Sequence, residues 1–167
     1  MRNLLVIIAT FLLGASLLAC SSDSCEQNQS SVPLAGFYSV STKKSQAIDS
    51  LTIYGVGVPN DSLLLNNKRA NNVHLPLRVK AEETSFVIHY NKKEYAAEEN
   101  NDTLTIKYEA APFFDSNECG AFYVFNIKDY SHTRHLVDSV SFITKRINNI
   151  DAEAIRIFFK DEQEVPQ

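Results

Sequence analysis

The sequence predicts an all-β fold, an antiparallel β-sandwich of immunoglobulin-like size with about eight or nine strands. Short apolar segments, many with alternating polarity, follow one another along the chain and are joined by turns rich in Asn, Asp and Lys. No apolar stripe of helical period extends beyond two turns. The 167 residues are enough for one domain of this kind. A small closed barrel is the alternative packing.

The strand assignments rest on alternation, β-branched content and the turn residues between segments. Pro76 places its segment at a sheet edge, since proline cannot donate to a ladder. The segment 120–127 is the most apolar and is predicted to be buried on both faces, whereas 94–97 is a weak return strand. The extended segments on which this estimate rests, the weak one included, cover, in chain order, 35–40, 49–58, 61–65, 73–77, 84–90, 94–97, 103–108, 120–127, 136–143 and 154–159.

The first residues are predicted to be a targeting signal rather than part of the fold. Arg2 precedes an uncharged, mostly apolar stretch, 4–19, which is too short to span a bilayer and is typical of a signal-peptide core. The stretch ends in Leu-Leu-Ala-Cys at 17–20, which resembles the lipobox of bacterial lipoproteins. The resemblance implies cleavage after residue 19 and acylation of Cys20, so acyl chains would attach the protein to a membrane. A plain secretory signal is the alternative.

The predicted organisation is therefore a signal peptide at 1–19, a lipidated N-terminus and tether at 20–31, and one β-domain at 32–167. No Asp directly follows Cys20, unlike the inner-membrane retention signal of enteric lipoproteins. We expect an outer-membrane lipoprotein, on the periplasmic face or the cell surface. The 16 basic residues are outnumbered by 20 acidic ones, which gives no electrostatic reason to bind nucleic acid.

Two cysteines remain besides Cys20, namely Cys25 and Cys119. In an oxidising compartment such a pair usually forms a disulfide. The bond would close a loop of about 95 residues, for which chain entropy predicts about 4–5 kcal/mol of stabilisation. A redox cysteine or a metal ligand is the alternative, but there is no Cys-x-x-Cys and the pair is far apart in sequence.

The sequence contains little that is typical of a catalytic or metal-binding site. His132 and His135 have a His-x-x-His spacing, but they are predicted to lie in a polar connection with no third ligand nearby in sequence. No nucleophile motif and no phosphate-binding glycine loop is present. The paired acids 82–83 and 98–99 are adjacent in turns, whereas acid/base catalysis needs carboxylates that face one substrate. We expect no catalytic residue, no metal site and no cofactor.

Aromatic residues supply two candidate binding features. Tyr54, Tyr90, Tyr95 and Tyr130 would form a carbohydrate platform if two of them were exposed together. Phe113 and Phe114 lie in a predicted loop, 110–118. They are either a plug over the open end of the sandwich, which anchoring by Cys119 would favour, or an exposed contact patch.

Four triplets read Asp, then Ser or Thr, then an aliphatic residue. They resemble the O-glycosylation sequence of secreted proteins in gut-type Gram-negative anaerobes. The same triplet also arises wherever a turn leads into a strand. The candidate hydroxyls are Ser50, Ser62, Thr103 and Ser139.

Several of these features together resemble a family of outer-membrane lipoproteins of those anaerobes, which carries a domain of unknown function. The resemblance implies a fold and a location but no activity. It rests on Cys20, Cys25, 49–57 (DSLTIYGVG), 61–66 (DSLLLN), 75–77 (LPL), Cys119-Gly120 and 155–159.

Three functions follow, in order of preference. The first is a lipid-anchored, non-catalytic domain that binds or scaffolds another envelope component, and it predicts an exposed sheet edge or apolar patch. The second is a glycan- or small-ligand-binding lipoprotein, with a groove lined by at least two tyrosines. The third is an envelope hydrolase, with carboxylates or histidines converging in a cleft.

Overall fold

The described part of the chain is all-β. The structure is a computed structural model and describes residues 30–57, 63–116 and 119–161. None of these residues belongs to a helix long and apolar enough to cross a membrane. Ten strands are present: β1 (Leu34–Ser39), β2 (Ile48–Gly55), β3 (Leu63–Ala70), β4 (Asn72–His74), β5 (Glu83–Tyr90), β6 (Asp102–Ser116), β7 (Gly120–His132), β8 (Val137–Phe142), β9 (Arg146–Ile147) and β10 (Glu153–Phe159).

The strands form two sheets. One has four strands in the order β4-β1-β10-β8, and the other has six in the order β3-β2-β5-β6-β7-β9. The six-stranded sheet curls into a half-barrel, and register shifts in the β2–β3 and β6–β7 pairs accompany the bend. The two-sheet, all-β prediction is confirmed at this level, with ten strands instead of eight or nine.

One strand pair contradicts the expectation of a purely antiparallel fold. The first strand β1 pairs in parallel with the last strand β10, so that Phe37 lies opposite Ile157. The other strand pairs are antiparallel. A parallel pair between chain ends has no turn that joins its strands, so the sequence carries no local signal for it.

The inner faces of both sheets enclose one apolar core. Phe159 of β10 makes edge-to-face contacts with Phe37 and with Tyr90 of β5, at ring-centroid distances of 5.4 and 6.5 Å. Tyr90 thereby connects the six-stranded sheet to the four-stranded one. The alternation that predicted β2 and β5 reflects this burial, since every second residue of these strands faces the core.

Two short predicted elements are wrong. Strand β3 continues through Asn66 and Asn67, beyond the predicted end at residue 65, and Asn67 adopts a left-handed φ of 45°. Asparagine tolerates this conformation better than most residues, so the strand bends there without ending. The predicted return strand 94–97 is a turn that leads into a single 3-10 turn, Glu98–Asn100.

The largest correction is the hairpin of β6 and β7. The predicted loop 110–118 belongs to β6 as far as Ser116, and Phe113 lies opposite Phe122. The segment has two alanines and a proline, which disfavour a strand locally, but pairing along β7 holds it extended. Strand β7 is not buried on both faces, because Tyr123 is 43% exposed.

The two sheets share two ends, which we name proximal and distal. At the proximal end, the chain enters β1 at Leu34 and the β6–β7 hairpin has its tip, where β6 ends at Ser116. At the distal end, β5 finishes at Tyr90 and β6 begins at Asp102.

A single buried carboxylate organises the distal end. Asp102 is 1% exposed and accepts five hydrogen bonds. Its Oδ2 accepts from the Tyr90 hydroxyl and from the backbone N–H groups of Leu136 and Val137, each at 2.8 Å. Its Oδ1 accepts from the Thr133 hydroxyl and the His135 N–H, both at 2.8 Å. The β7–β8 connection is thus held against the start of β6.

We expect Asp102→Asn to lower the free energy of unfolding by at least about 3 kcal/mol, because an amide nitrogen would face donors and leave them unsatisfied. Denaturant unfolding of the purified protein measures this. The matched control is Asp49→Asn, which alters an exposed Asp that begins another Asp-Ser-aliphatic triplet and lies 3.5 Å from Arg69. It should cost about 0.5 kcal/mol or less. Equal costs would contradict an organising role for Asp102.

Candidate functional site

The four histidines do not converge. His132 Nε2 lies 3.3 Å from the Asp138 carbonyl oxygen, and His89 Nδ1 lies 2.7 Å from Asn101 Oδ1. His135 contributes its backbone N–H to Asp102, and His74 Nε2 contacts Asp151 at 3.1 Å. Among the described residues, no group of three or more His, Cys, Asp or Glu side chains is arranged to hold a metal ion.

The four tyrosines do not form a joint platform. Tyr90 is buried, and the Tyr130 ring packs on Phe142 with 4.8 Å between centroids. Tyr90 and Tyr95 line a cavity of about 80 Å³ at the distal end, together with Lys160 and others. Tyr90 is buried, so this cavity offers at most the half-buried Tyr95 to a ligand.

The candidate glycosylation residues lie in less accessible places than a turn would give. Ser50, Thr103 and Ser139 are half-buried in β2, β6 and β8. Ser50 has a left-handed φ of 55° beside a register shift. Ser62 lies outside the described residues. The triplet of Thr103 begins with the buried Asp102, so its aspartate has a structural role that needs no glycosylation.

The structure describes one of the three cysteines, Cys119. Cys119 lies next to the tip of the β6–β7 hairpin, and its backbone N–H donates to Ser116 Oγ at 3.0 Å. Cys20 and Cys25 lie outside the described residues, so lipidation and the Cys25–Cys119 pairing stay predictions.

The hairpin of β6 and β7 extends beyond its neighbours as an arm, which we define as residues 109–116 and 120–124. Strand β5 pairs with β6 only as far as Lys107. Within the described residues, no strand pairs with the outer edge of β6 along the arm. Pro112 lies on this edge, where its missing N–H costs no ladder bond.

A groove of about 860 Å³ follows the base of this free edge. Charges of both signs line it, and Lys128 Nζ contacts Glu109 Oε2 at 2.8 Å. The hydrogen bond and charge of Lys128 lower the pKa of Glu109. The lining residues are Val79, Lys80, Ala81, Glu82, Glu83, Lys107, Tyr108, Glu109, Ala110 and Lys128.

The tip of the arm is aromatic. Phe113 packs on Phe122 with 5.3 Å between ring centroids, and the Arg146 guanidinium lies 5.7 Å from the Phe113 ring. Phe114 is 63% exposed. The plug prediction for Phe113 and Phe114 is therefore wrong, because strand pairing points Phe114 to solvent instead of over the core. The alternative, a contact patch, remains open.

Sequence reasoning missed one polar cluster on the outer face of the four-stranded sheet. The Tyr38 hydroxyl lies 2.9 and 2.8 Å from the two carboxylate oxygens of Glu153, and Arg156 Nε donates to Glu153 Oε1 at 2.8 Å. The hydrogen bond to Glu153 raises the pKa of Tyr38. A Cβ on Gly36 would displace the Glu153 carboxylate from its position in this cluster. Only the parallel β1–β10 pairing brings these residues together.

Residues 50–159 match a family described as a family of unknown function, DUF6452. The chain belongs to this family. Neither the curated proteins nor the solved structures that were compared give a match. The family match begins in β2 and ends at Phe159, so it covers Asp102, the arm and all but one strand of the fold.

The Tyr90–Asp102 contact predicts an alkaline loss of stability. Burial, the charge of Asp102 and their hydrogen bond raise the pKa of Tyr90 well above its ordinary value of 10.0. In the unfolded chain Tyr90 loses its proton near pH 10, while the folded protein keeps it. The contribution of the Tyr90–Asp102 contact to the free energy of unfolding is therefore complete below pH 10 and decreases as the pH rises above it.

We expect Tyr90→Phe to lower the unfolding free energy at pH 7 by about 1–3 kcal/mol, since Asp102 loses a donor. In denaturant titrations, the difference in unfolding free energy between Tyr90→Phe and the unmodified protein should shrink between pH 10 and 11.5. Tyr54→Phe, at a half-buried strand position, is the control and should retain the alkaline decline. Parallel pH profiles for the unmodified protein and Tyr90→Phe would contradict the assignment.

Proposed function

We propose that the protein is a lipid-anchored, non-catalytic domain of the outer membrane that binds another component of the cell envelope. Cys20 carries the acyl chains, and the domain lies on the periplasmic face or the cell surface. The observation that carries the binding role is the arm, whose β6 edge pairs with no other described strand and adjoins the groove of about 860 Å³.

The arm suits a protein partner better than a small ligand. An unpaired edge offers backbone groups to an extended segment of a partner. The groove beside it supplies charges of both signs, so a partner segment with mixed charge fits it. Pro112 removes one backbone donor from the edge, which protects it from indiscriminate strand pairing.

The absence of catalysis is part of the proposal and is supported by Asp102. This carboxylate is the fully buried acid of the described residues. Its oxygens are already occupied by five donors, and a general base needs a free oxygen near a substrate. Its environment is that of a structural anchor.

The position of Ser30 and Ser31, the first described residues, supports the predicted disulfide. Ser30 and Ser31 line a groove of about 350 Å³ opposite Ala121 and Phe122. Cys119 lies two residues before Ala121, and Cys25 lies five residues before Ser30. Five extended residues span up to about 18 Å, so Cys25 is able to reach the tip of the arm.

Photocrosslinking in the envelope tests the binding role. Benzoylphenylalanine in place of Glu109, in the groove, should give a discrete adduct of higher mass in intact cells. The same group in place of Lys93, exposed at the distal end, should not. Lys128→Glu should weaken the adduct at position 109, since it reverses a charge of the groove. Equal adducts at both positions, or none at 109, would refute the proposed binding edge.

Mass spectrometry of the protein extracted from membranes tests the lipid anchor and the disulfide. We expect loss of residues 1–19, an acylated Cys20 and a non-reduced peptide that joins Cys25 to Cys119. Hexose-type mass on a peptide with Ser50, Ser62, Thr103 or Ser139 would identify the glycosylated sites. An unacylated Cys20 would contradict the localisation, and free thiols at the other two cysteines would contradict the disulfide.

A further inference from the structure

The exposed large apolar side chains of the described residues gather at one end of the molecule. Each belongs to a strand terminus or a connection at the proximal end, or to the arm. They are Val56, Leu63, Val79, Phe113, Phe114, Tyr123, Ile143 and Ile150. Their exposed fractions run from 38% for Phe113 to 63% for Phe114.

The distal end has the opposite character. Its connections are 41–45, 91–101 and 131–135, and their exposed positions are mostly Lys, Arg, Glu, Asn, Ser, Thr and His. None of the eight exposed apolar side chains lies in these described connections. The two ends of one domain therefore present different surfaces, and exposed apolar side chains gathered at one end are typical of an interaction site.

The chain reaches the domain at the apolar end. Residues 30–32 line the groove that also contains Val79 and Tyr123, and Val32 lines a second groove, of about 210 Å³, that contains Ile150. Cys20 stands ten residues before Ser30 in the sequence. Even a fully extended tether spans at most about 35 Å.

The predicted disulfide would shorten this distance further. Cys119 lies at the tip of the arm, and Cys25 is five residues from Cys20. Bonded to each other, they would hold the acyl chains within about 18 Å of the arm. A tether this short brings the proximal end towards the bilayer and turns the distal end away.

Charges at the proximal end are mixed. The exposed basic residues include Lys80, Lys145 and Arg146, and the acidic ones include Glu82, Asp115 and Asp151. Attraction to anionic head groups is therefore weak, and contact with a membrane surface would depend on apolar side chains that enter the head-group region.

We propose that the proximal end, led by Phe113, Phe114 and Tyr123 of the arm, rests in the interfacial region of the lipid bilayer to which Cys20 is anchored. This inference rests on the lipid anchor of the proposed function. It gives the domain one fixed orientation, with the groove beside the arm close to the membrane surface and the Asp102 end furthest from it.

The chain has no tryptophan, so one introduced tryptophan reports on one position. Phe114→Trp and Tyr123→Trp place the reporter on the arm, and Lys93→Trp places it at the distal end as the matched control. The full lipidated protein is reconstituted into vesicles of phosphatidylcholine, with or without bromine on the acyl chains near the head groups. Flotation of the vesicles measures anchoring separately from fluorescence.

We expect brominated lipid to reduce the emission of Phe114→Trp and Tyr123→Trp at least about twofold, because interfacial side chains enter the boundary by about 5–10 Å. Lys93→Trp should be unaffected and fully open to aqueous iodide. Neutral phosphatidylcholine should suffice, and added salt should not reverse the quenching.

Three results would overturn the orientation. Vesicles that float with the protein while all three tryptophans remain unquenched by bromine would refute the membrane contact and leave the anchor intact. An arm tryptophan shielded from iodide but not quenched by bromine would show a protein partner or a second copy at this surface instead of lipid. Failure of the protein to float would refute the anchor itself, and the orientation with it.

Discussion

The carboxylate of Asp102 is the constraint on which the distal half of the structure depends. A carboxyl group that is 1% exposed is tolerated only where hydrogen-bond partners replace the water it has lost. Three of its five donors are backbone N–H groups of consecutive residues, 135–137. The connection must therefore adopt the one path that points all three inward. Because β8 begins at Val137 and pairs with β10, the same carboxylate also fixes the first residue of this edge strand of the four-stranded sheet.

The parallel β1–β10 pair closes the structure in a different way. It joins residues more than a hundred positions apart, and its outer face carries the Tyr38–Glu153–Arg156 cluster over Gly36. Loop-closure entropy makes such a pairing costly to form early. The six-stranded sheet therefore contains several local hairpins, whereas the parallel pair of the four-stranded sheet joins strands far apart in sequence.

Local patterns predicted what local physics determines. Alternation located β2, β5 and the first half of β6, since their inward residues are buried at every second position. Pro76 correctly indicated an edge strand, since β4, which ends two residues before it at His74, lies at the edge of the four-stranded sheet. The arm was missed because Ala110, Ala111 and Pro112 carry no strand preference and are extended only by pairing with β7. The role of Asp102 was hidden because four of its five donors come from a segment more than thirty residues away.

The difference between the two ends follows from where each sheet is closed. At the distal end, the Asp102 network and the contacts of Phe159 with Phe37 and Tyr90 join the sheets, and the connections that cover this join are polar. At the proximal end, the arm continues past β5, and its aromatic residues Phe113, Phe114 and Tyr123 remain exposed. Such exposure is a liability for a freely diffusing protein. For a protein tethered through a nearby cysteine it becomes a means of orientation, since the tether raises the local concentration of the lipid surface at that end alone. A weak apolar contact, insufficient to hold a free domain on a membrane, is then enough to select which side of an anchored one faces its partners.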